Sequence, residues 1–428
     1  MDTERIGAMR RIITPSPTGG TLRAIASKSV AHRLLICAAF AKESTQIECA
    51  QINEDITATV RCLEALGATV QREGSCFTVT PIQTPNQGAI LDCGESGSTL
   101  RFLVPVVGML GVPASFLMAG RLPHRPLSPL REELERNGIT LSPPSSNPLT
   151  IGGAIRNTDF SIAGNVSSQF ISGLLFAIAL SGKGGTVRIE GTLESAPYLH
   201  LTMDALSQFG VCVIWDTDRF TIPPCQPLVS PKTICVEGDW SNAAFPLSLG
   251  VIGKTPVTVT GLSPSSRQGD RAIVTLLREF GATVEEDGSS VRAYPSSLRG
   301  ISIDASQIPD LVPILATVAS VAEGTTVIHH ASRLRIKESD RLHAISFVLN
   351  ALGASVREQE DGLTIEGVPH LLGGTVNAFG DHRIAMSLAV ASVRCREAVI
   401  LDGAEATAKS YPDFWQDCTA LGLDCPEA

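Results

Sequence analysis

An amphipathic helix that ends on glycine and runs into a short β-prone stretch occurs six times in this chain at a nearly constant interval. The phrase reads Leu63-Glu64-Ala65-Leu66-Gly67-Ala68-Thr69-Val70 at its first occurrence and Leu277-Arg278-Glu279-Phe280-Gly281-Ala282-Thr283-Val284 at its fourth. The stop glycines are Gly67, Gly138, Gly210, Gly281, Gly353 and Gly422, separated by 71, 72, 71, 72 and 69 residues. Glycine past the last helical turn enters the left-handed region without a Cβ penalty, so each marks a helix C-terminus. A second, more apolar helix is expected earlier in every unit, beginning near Ser29, Ser98, Ser168, Ser241, Asp310 and His382 with the same period. Capping is expected from Ser29, Ser98 or Thr99, Ser168, Ser241, Asp310 and Asp381. These helices hold almost no charge, as in 170–180, and a helix that is apolar all round belongs inside a core. Alternating runs such as Thr325-Thr326-Val327-Ile328-His329 supply strands. The period exceeds that of solenoid repeats, so each unit reads as an α/β module with one buried and one surface helix.

A chain of 428 residues, 43% apolar and 18% charged, is globular and long enough for two domains. Six units divide most simply as three and three, with the break at 235–239. If the buried helices of a domain share direction, their positive N-terminal poles gather at one end. Two such ends facing each other would make a cleft with six poles. The net charge of −9 argues against nucleic acid or a membrane surface as partner, so an anionic ligand needs a local basic cluster. Eleven cysteines show no C-x-x-C pair and no His/Cys ligand spacing, so no zinc site is expected. Their odd number fits reduced thiols in a cytosol. Met1 to Arg11 lacks an apolar core, so no secretory leader is expected. Phe102 to Gly120 is nineteen residues without a charge, but Pro105, Gly108, Gly111 and Pro113 interrupt it. It reads as a buried helix, a turn and a strand rather than a membrane span.

Bases and hydroxyls collect where the buried helices are expected to start. Ser27-Lys28-Ser29 with Arg33 opens the first, and Gly94-Glu95-Ser96-Gly97-Ser98-Thr99-Leu100-Arg101 the second. Ser167-Ser168-Gln169, Asp239-Trp240-Ser241, Pro309-Asp310 and Asp381-His382-Arg383 open the others. Further charge lies in Arg121–Pro126, Arg333–Arg341 and Lys409. Taken singly, each has an ordinary explanation: a serine cap, a solvated helix start, a surface histidine. A glycine-rich loop alone is a weak phosphate signal. The repeat register is what groups them.

In this order the motifs resemble the enolpyruvyl transferases, and within them the 5-enolpyruvylshikimate-3-phosphate (EPSP) synthase family, from about residue 12 to 420. The resemblance rests on Ser27-Lys28-Ser29-x-x-x-Arg33, Gly97-Ser98-Thr99-Leu100-Arg101, Arg125-Pro126, Ser167-Ser168-Gln169, Lys337-Glu338-Ser339-Asp340-Arg341, Asp381-His382-Arg383 and Ala408-Lys409. It implies an α/β fold of two inside-out α/β barrel domains, each of three βαβαββ-type repeats with buried parallel helices and the active site in the interdomain cleft. The domains would be 1–25 plus 238–428, discontinuous because the N-terminal strand pairs back, and 26–237. The implied reaction joins phosphoenolpyruvate to the 5-hydroxyl of shikimate 3-phosphate by addition and elimination of phosphate, a step toward chorismate and the aromatic amino acids. It implies no cofactor and no metal, a cytoplasmic monomer, and small-molecule partners only.

The resemblance also implies site roles. Lys28, Gly97, Arg125, Gln169, Arg341, Arg383 and Lys409 would bind phosphoenolpyruvate. Lys28, Ser29, Arg33, Ser167, Ser168, Gln169, Ser195, Tyr198, Asp310 and Lys337 would bind shikimate 3-phosphate. Asp310 would be the base for the 5-hydroxyl, Glu338 the acid that protonates C3, and Lys28 a catalytic cation. Two phosphates and two carboxylates in one pocket require many cations, each charge-assisted hydrogen bond contributing about 1.5–3 kcal/mol. Glu95 and Arg333 stand where many members have asparagine. The sister transferase acting on UDP-N-acetylglucosamine usually carries a reactive cysteine in a loop corresponding to Val112–Arg125, which here has none. A two-lobed anion-binding protein would need the bases but not Asp310 and Glu338.

Overall fold

The computed structural model describes residues 9–428, so the reading of Met1 to Arg11 as free of a leader falls mostly outside the described residues. The chain forms two compact units. One, here the inserted unit, is Ala26–Val236, and the other, the terminal unit, combines the chain up to Ile25 with Glu237–Ala428. Each has its own apolar core.

Each repeat contributes two helices. In the inserted unit they are α1 (Lys28–Ala39) and α2 (Glu54–Leu66), α3 (Gly97–Leu110) and α4 (Leu130–Arg136), α5 (Ser168–Ser181) and α6 (Ala196–Gln208). In the terminal unit they are α7 (Trp240–Ile252) and α8 (Ile273–Glu279), α9 (Val312–Ala319) and α10 (Arg341–Ala351), α11 (His382–Ala391) and α12 (Phe414–Ala420). The first of each pair is buried over nearly its whole length, as its lack of charge requires. All six stop glycines have positive φ, between 83° at Gly210 and 114° at Gly67. Phe102–Gly120 is the body of α3, a turn and the strand Ala114–Leu117. Among the described residues no helix is long and apolar enough to cross a membrane.

The caps differ from expectation. The side chains of Ser96, Ser167, Asp239 and Asp381 accept backbone N–H bonds at the starts of α3, α5, α7 and α11. Only Asp381 was expected among these. Ser29, Ser98, Ser168 and Ser241 lie within first turns, and Asp310 sits in the 3-10 turn Pro309–Leu311 ahead of α9. The cap falls one or two residues upstream, which leaves Asp310 and the hydroxyls of Ser98 and Ser241 for tertiary partners.

Among the described residues, five four-stranded sheets and one three-stranded sheet accompany the helices. The four-stranded sheets share one order: a parallel pair, then two antiparallel neighbours. Ser302–Asp304 runs parallel to Thr325–His329, which pairs antiparallel with Gly362–Glu366 and that with Ser355–Gln359. Strands are exchanged at the unit boundaries. Gly20–Arg23 precedes α1 in sequence but joins Val257–Thr260, and Thr233–Cys235 precedes α7 but joins Thr45–Glu48. Arg10–Ile13 pairs antiparallel with Val399–Asp402, so the terminal unit is held together by both ends of the chain. Among the described residues each sheet is open, and none closes on itself.

Within the inserted unit α3 and α5 pack closely because Gly173 offers no side chain: a Cβ there would stand 2.4 Å from the carbonyl oxygen of Arg101. The Phe102 and Phe176 rings meet edge-on at 5.6 Å just beyond this contact. That close approach brings the starts of the two helices together.

Candidate functional site

In the inserted unit the starts of α1 and α3 carry cations held largely by neutral oxygens, and α5 adds Gln169. Arg33 is buried, and its Nε donates to Thr202 Oγ1 at 2.8 Å. Its Nη1 donates to the Ser29 carbonyl at 2.7 Å and its Nη2 to the Tyr198 carbonyl at 2.9 Å. The Phe102 ring lies 5.0 Å from the guanidinium carbon. Burial pushes the Arg33 pKa down to about 10, which still leaves it charged at neutral pH. Lys28, on the first turn of α1, reaches Asp55 at 2.8 Å. Gln169, on the first turn of α5, accepts from Arg101 Nη1 at 2.8 Å and donates to Ser98 Oγ at 2.9 Å. Gly97 has a steric reason to be glycine: a Cβ there would stand 2.9 Å from Arg101 Nη1 and 3.0 Å from Arg125 Nη1. The two guanidinium groups thus converge over the start of α3. Beneath them a buried chain runs from His32 through Thr59 (2.6 Å) and Thr99 (2.6 Å) to Ser96 (2.7 Å). Burial lowers the His32 pKa to about 3, so this ring is neutral and helps tie α1, α2 and α3 together without adding charge.

Ser195, the residue before α6, is buried with φ 56°, and Tyr198 one turn later bonds back to its carbonyl. Ser167 caps α5, and Ser168 is buried in its first turn. Glu95 folds against Gly120, where an added Cβ would overlap its carboxylate.

In the terminal unit the corresponding cluster is built from ion pairs. Arg341, the first residue of α10, is almost wholly buried. Its Nε donates to Asp381 at 2.8 Å, Nη1 to Asp310 at 2.8 Å and Nη2 to Glu338 at 2.9 Å. Arg383 Nη2 reaches Asp310 at 3.0 Å, and Lys337 Nζ lies 3.7 Å from the same carboxylate. Burial disfavours the Arg341 cation, but Asp381, Glu338 and Asp310 outweigh it and raise its pKa. Burial likewise pushes the Asp310 carboxyl up, and Arg383, Lys337 and Arg341 together hold it well below the usual carboxylate range. Lys337 is lowered to about 8, chiefly by burial. Lys409, at the end of the turn Ala404–Lys409, is buried, while Arg333 Nη2 donates to the Ser306 carbonyl at 2.8 Å.

Asp310, Lys337, Glu338, Arg341 and Arg383 are therefore assembled in one cluster, and Ser29, Arg33 and Tyr198 in another. Several participants carried no assigned role in the sequence: Asp55, Arg101, Thr202, Asp381 as a partner of Arg341, and Asp270. Asp270 is buried beside Ser241, and burial and the Asp310 charge raise its pKa to about 6. Nothing local marks their partnerships, because each partner lies on a different helix or turn; only Arg101 and Asp381 stood inside quoted motifs.

A family model described as EPSP synthase (3-phosphoshikimate 1-carboxyvinyltransferase) matches residues 12–418. A 3-phosphoshikimate 1-carboxyvinyltransferase of Clostridium kluyveri is 41% identical over 97% of this chain and 98% of its own length. One from Clostridioides difficile is 38% identical over 96% of this chain and 97% of its own. The solved EPSP synthase from Acinetobacter baumannii has a TM-score of 0.81 at 24% identity, covering 98% of this chain and all of that one. The enolpyruvyl transferase NikO from Streptomyces tendae has a TM-score of 0.75 at 20% identity, covering 99% of each chain. The two solved structures share the mixed α/β fold.

Proposed function

This chain belongs to the EPSP synthase family, and from that premise we propose how its residues carry the family's reaction. The chain transfers the enolpyruvyl group of phosphoenolpyruvate to shikimate 3-phosphate, releasing phosphate. The acceptor is the 5-hydroxyl, and the three repeats around buried helices in each unit are the family's inside-out α/β barrel.

The observation that carries the mechanism is Arg341 bonded to Asp310 and Glu338 at once. Around it three cations, Arg341, Arg383 and Lys337, face three carboxylates, Asp310, Glu338 and Asp381. An anionic substrate that engages Arg341 and Arg383 competes with those carboxylates for the same donors. Asp310 then loses part of the field that holds its pKa down and becomes a stronger base for the 5-hydroxyl. Glu338, beside an incoming anion, is pushed toward its protonated form and delivers the proton to C3 of phosphoenolpyruvate. The acid and the base thus draw opposite duties from one arginine.

Arg33, Ser29, Ser167, Ser168, Ser195, Tyr198 and Lys337 bind shikimate 3-phosphate. Lys28, Gly97, Arg125, Arg341, Arg383 and Lys409 hold phosphoenolpyruvate, with Lys28 and Gln169 serving both substrates. The decisive assay is phosphate release on mixing phosphoenolpyruvate with shikimate 3-phosphate, repeated with UDP-N-acetylglucosamine as acceptor. Release with the first acceptor alone is expected. Release only with the second acceptor would reassign the chain to the sister transferase, and release with neither would leave an anion-binding protein.

A further inference from the structure

Asp304, His329 and His330 have no part in the reaction described above. The parallel register sets Asp304, the last residue of its strand, opposite His329, the last residue of the next. Successive strand residues send their side chains to opposite faces. His330 breaks that alternation because its φ is 56°, a left-handed conformation uncommon outside glycine. The two imidazoles consequently meet edge-on with centroids 4.6 Å apart and Nδ1 atoms 3.2 Å apart. His330 Nδ1 also lies 3.2 Å from Asp304 Oδ1, and one ligand atom from each of the three residues falls within 4.8 Å of the others. The Asp304 carboxylate is steadied by the Ser306 N–H, which donates to Oδ1 at 2.9 Å.

We propose that Asp304, His329 and His330 form a binding site for a divalent cation of the zinc class, completed by water. A tetrahedral ion with metal–nitrogen bonds of 2.0–2.1 Å spaces its ligands about 3.3 Å apart, and the two 3.2 Å separations fit that edge. Two imidazoles and one carboxylate select zinc, nickel or copper over magnesium or calcium, which take oxygen shells. Side-chain exposures of 58% for His330 and 53% for Asp304 leave the ion a direct path from solvent. The absence of Cys/His spacing spoke against zinc, but spacing along the chain does not register a ligand delivered from a neighbouring strand. The ion would staple two strand ends whose following segments lead to Asp310 and to the Arg333–Lys337 turn. Those segments are also tied by Arg333 donating to the Ser306 carbonyl and by Lys337 beside Asp310.

The test is titration of the full, tag-free chain with cobalt(II), followed by visible absorption. One equivalent should bind with the ligand-field bands of nitrogen and oxygen donors, and the melting temperature should rise with it. His330→Asn tolerates the left-handed backbone, and Asp304→Asn keeps its shape. Each should weaken uptake by about tenfold or more, the scale on which loss of a supporting group acts at metal sites. A thiolate-to-cobalt charge-transfer band would place the ion at cysteines and overturn the proposal. So would equal affinity in both variants, or no saturable uptake by the parent chain.

Discussion

Arg33 and Arg341 are both buried arginines near helix starts, yet the two units hold them in opposite ways. Arg33 gives its protons to two backbone carbonyls and to hydroxyls, and its pKa falls to about 10. Arg341 gives its protons to three carboxylates, and its pKa rises. Neutral oxygens satisfy a guanidinium without cancelling its charge, so Arg33 remains a positive centre suited to a phosphate. Carboxylates cancel the charge, so an anion arriving at Arg341 must displace them. One repeat architecture thus yields a buried arginine that keeps its charge and another whose charge is met by ion pairs. On the reading proposed above, these are a pole that attracts an anion and a pole that responds to one.

The largest expected effect is at the responsive pole. Glu338→Gln keeps the shape and can still accept from Arg341, but it cannot act as an acid. Turnover should fall by about 10²–10⁴-fold, while shikimate 3-phosphate affinity by calorimetry stays within a few-fold. Exchange of solvent tritium into C3 should fall in step, and normal exchange would move the proton to another group.

The two arginines themselves provide the next contrast. Arg341→Leu leaves three carboxylates around an apolar side chain and should cost about 3–5 kcal/mol in denaturant unfolding. Arg33→Met strands only neutral acceptors and should cost about 1–3 kcal/mol. Equal losses would dissolve the distinction drawn here.

A pH profile sharpens it further. Lys337 titrates near 8 in the folded chain, and kcat/KM reports free-enzyme pKa values, so kcat/KM should decline as pH rises through about 8. Lys337→Arg, charged throughout, should flatten that limb. For stability the sign is opposite: between about 8 and 10.5 the unfolded chain binds the extra proton, so this residue makes stability rise with pH across that window.

The smallest effects concern the repeat stops. Gly210 in the inserted unit has φ 83° and no atom within 3.8 Å of an added Cβ, so Gly210→Ala should cost only the left-handed penalty, about 1–2 kcal/mol. At Gly353 in the terminal unit, φ 89°, the Cβ would meet Leu372 at 2.7 Å, and the loss should be larger. Calorimetric melting temperatures would rank the two.

The sequence by itself carried whatever is local or periodic. The six stops at Gly67, Gly138, Gly210, Gly281, Gly353 and Gly422 and the starts of the six buried helices all lie within a residue or two of their expected positions. The reason is that helix termination and apolar burial are properties of contiguous residues. The types of residue in the clusters were legible for the same reason, since Ser27–Arg33, Gly97–Arg101 and Lys337–Arg341 are unbroken motifs. Caps were placed slightly late, because several hydroxyls in a row compete for one role and only backbone geometry selects among them.

What only the tertiary structure decided is partnership. Asp381 looked like a cap and is also the partner of Arg341. Asp310 looked like a cap and instead binds Arg341 and Arg383. Asp304 reaches His329 through strand register. Ion pairs and ligand sets of this kind join residues from different turns of the chain, and their energy depends on distance and burial. Those two quantities exist only after the helices and sheets have packed.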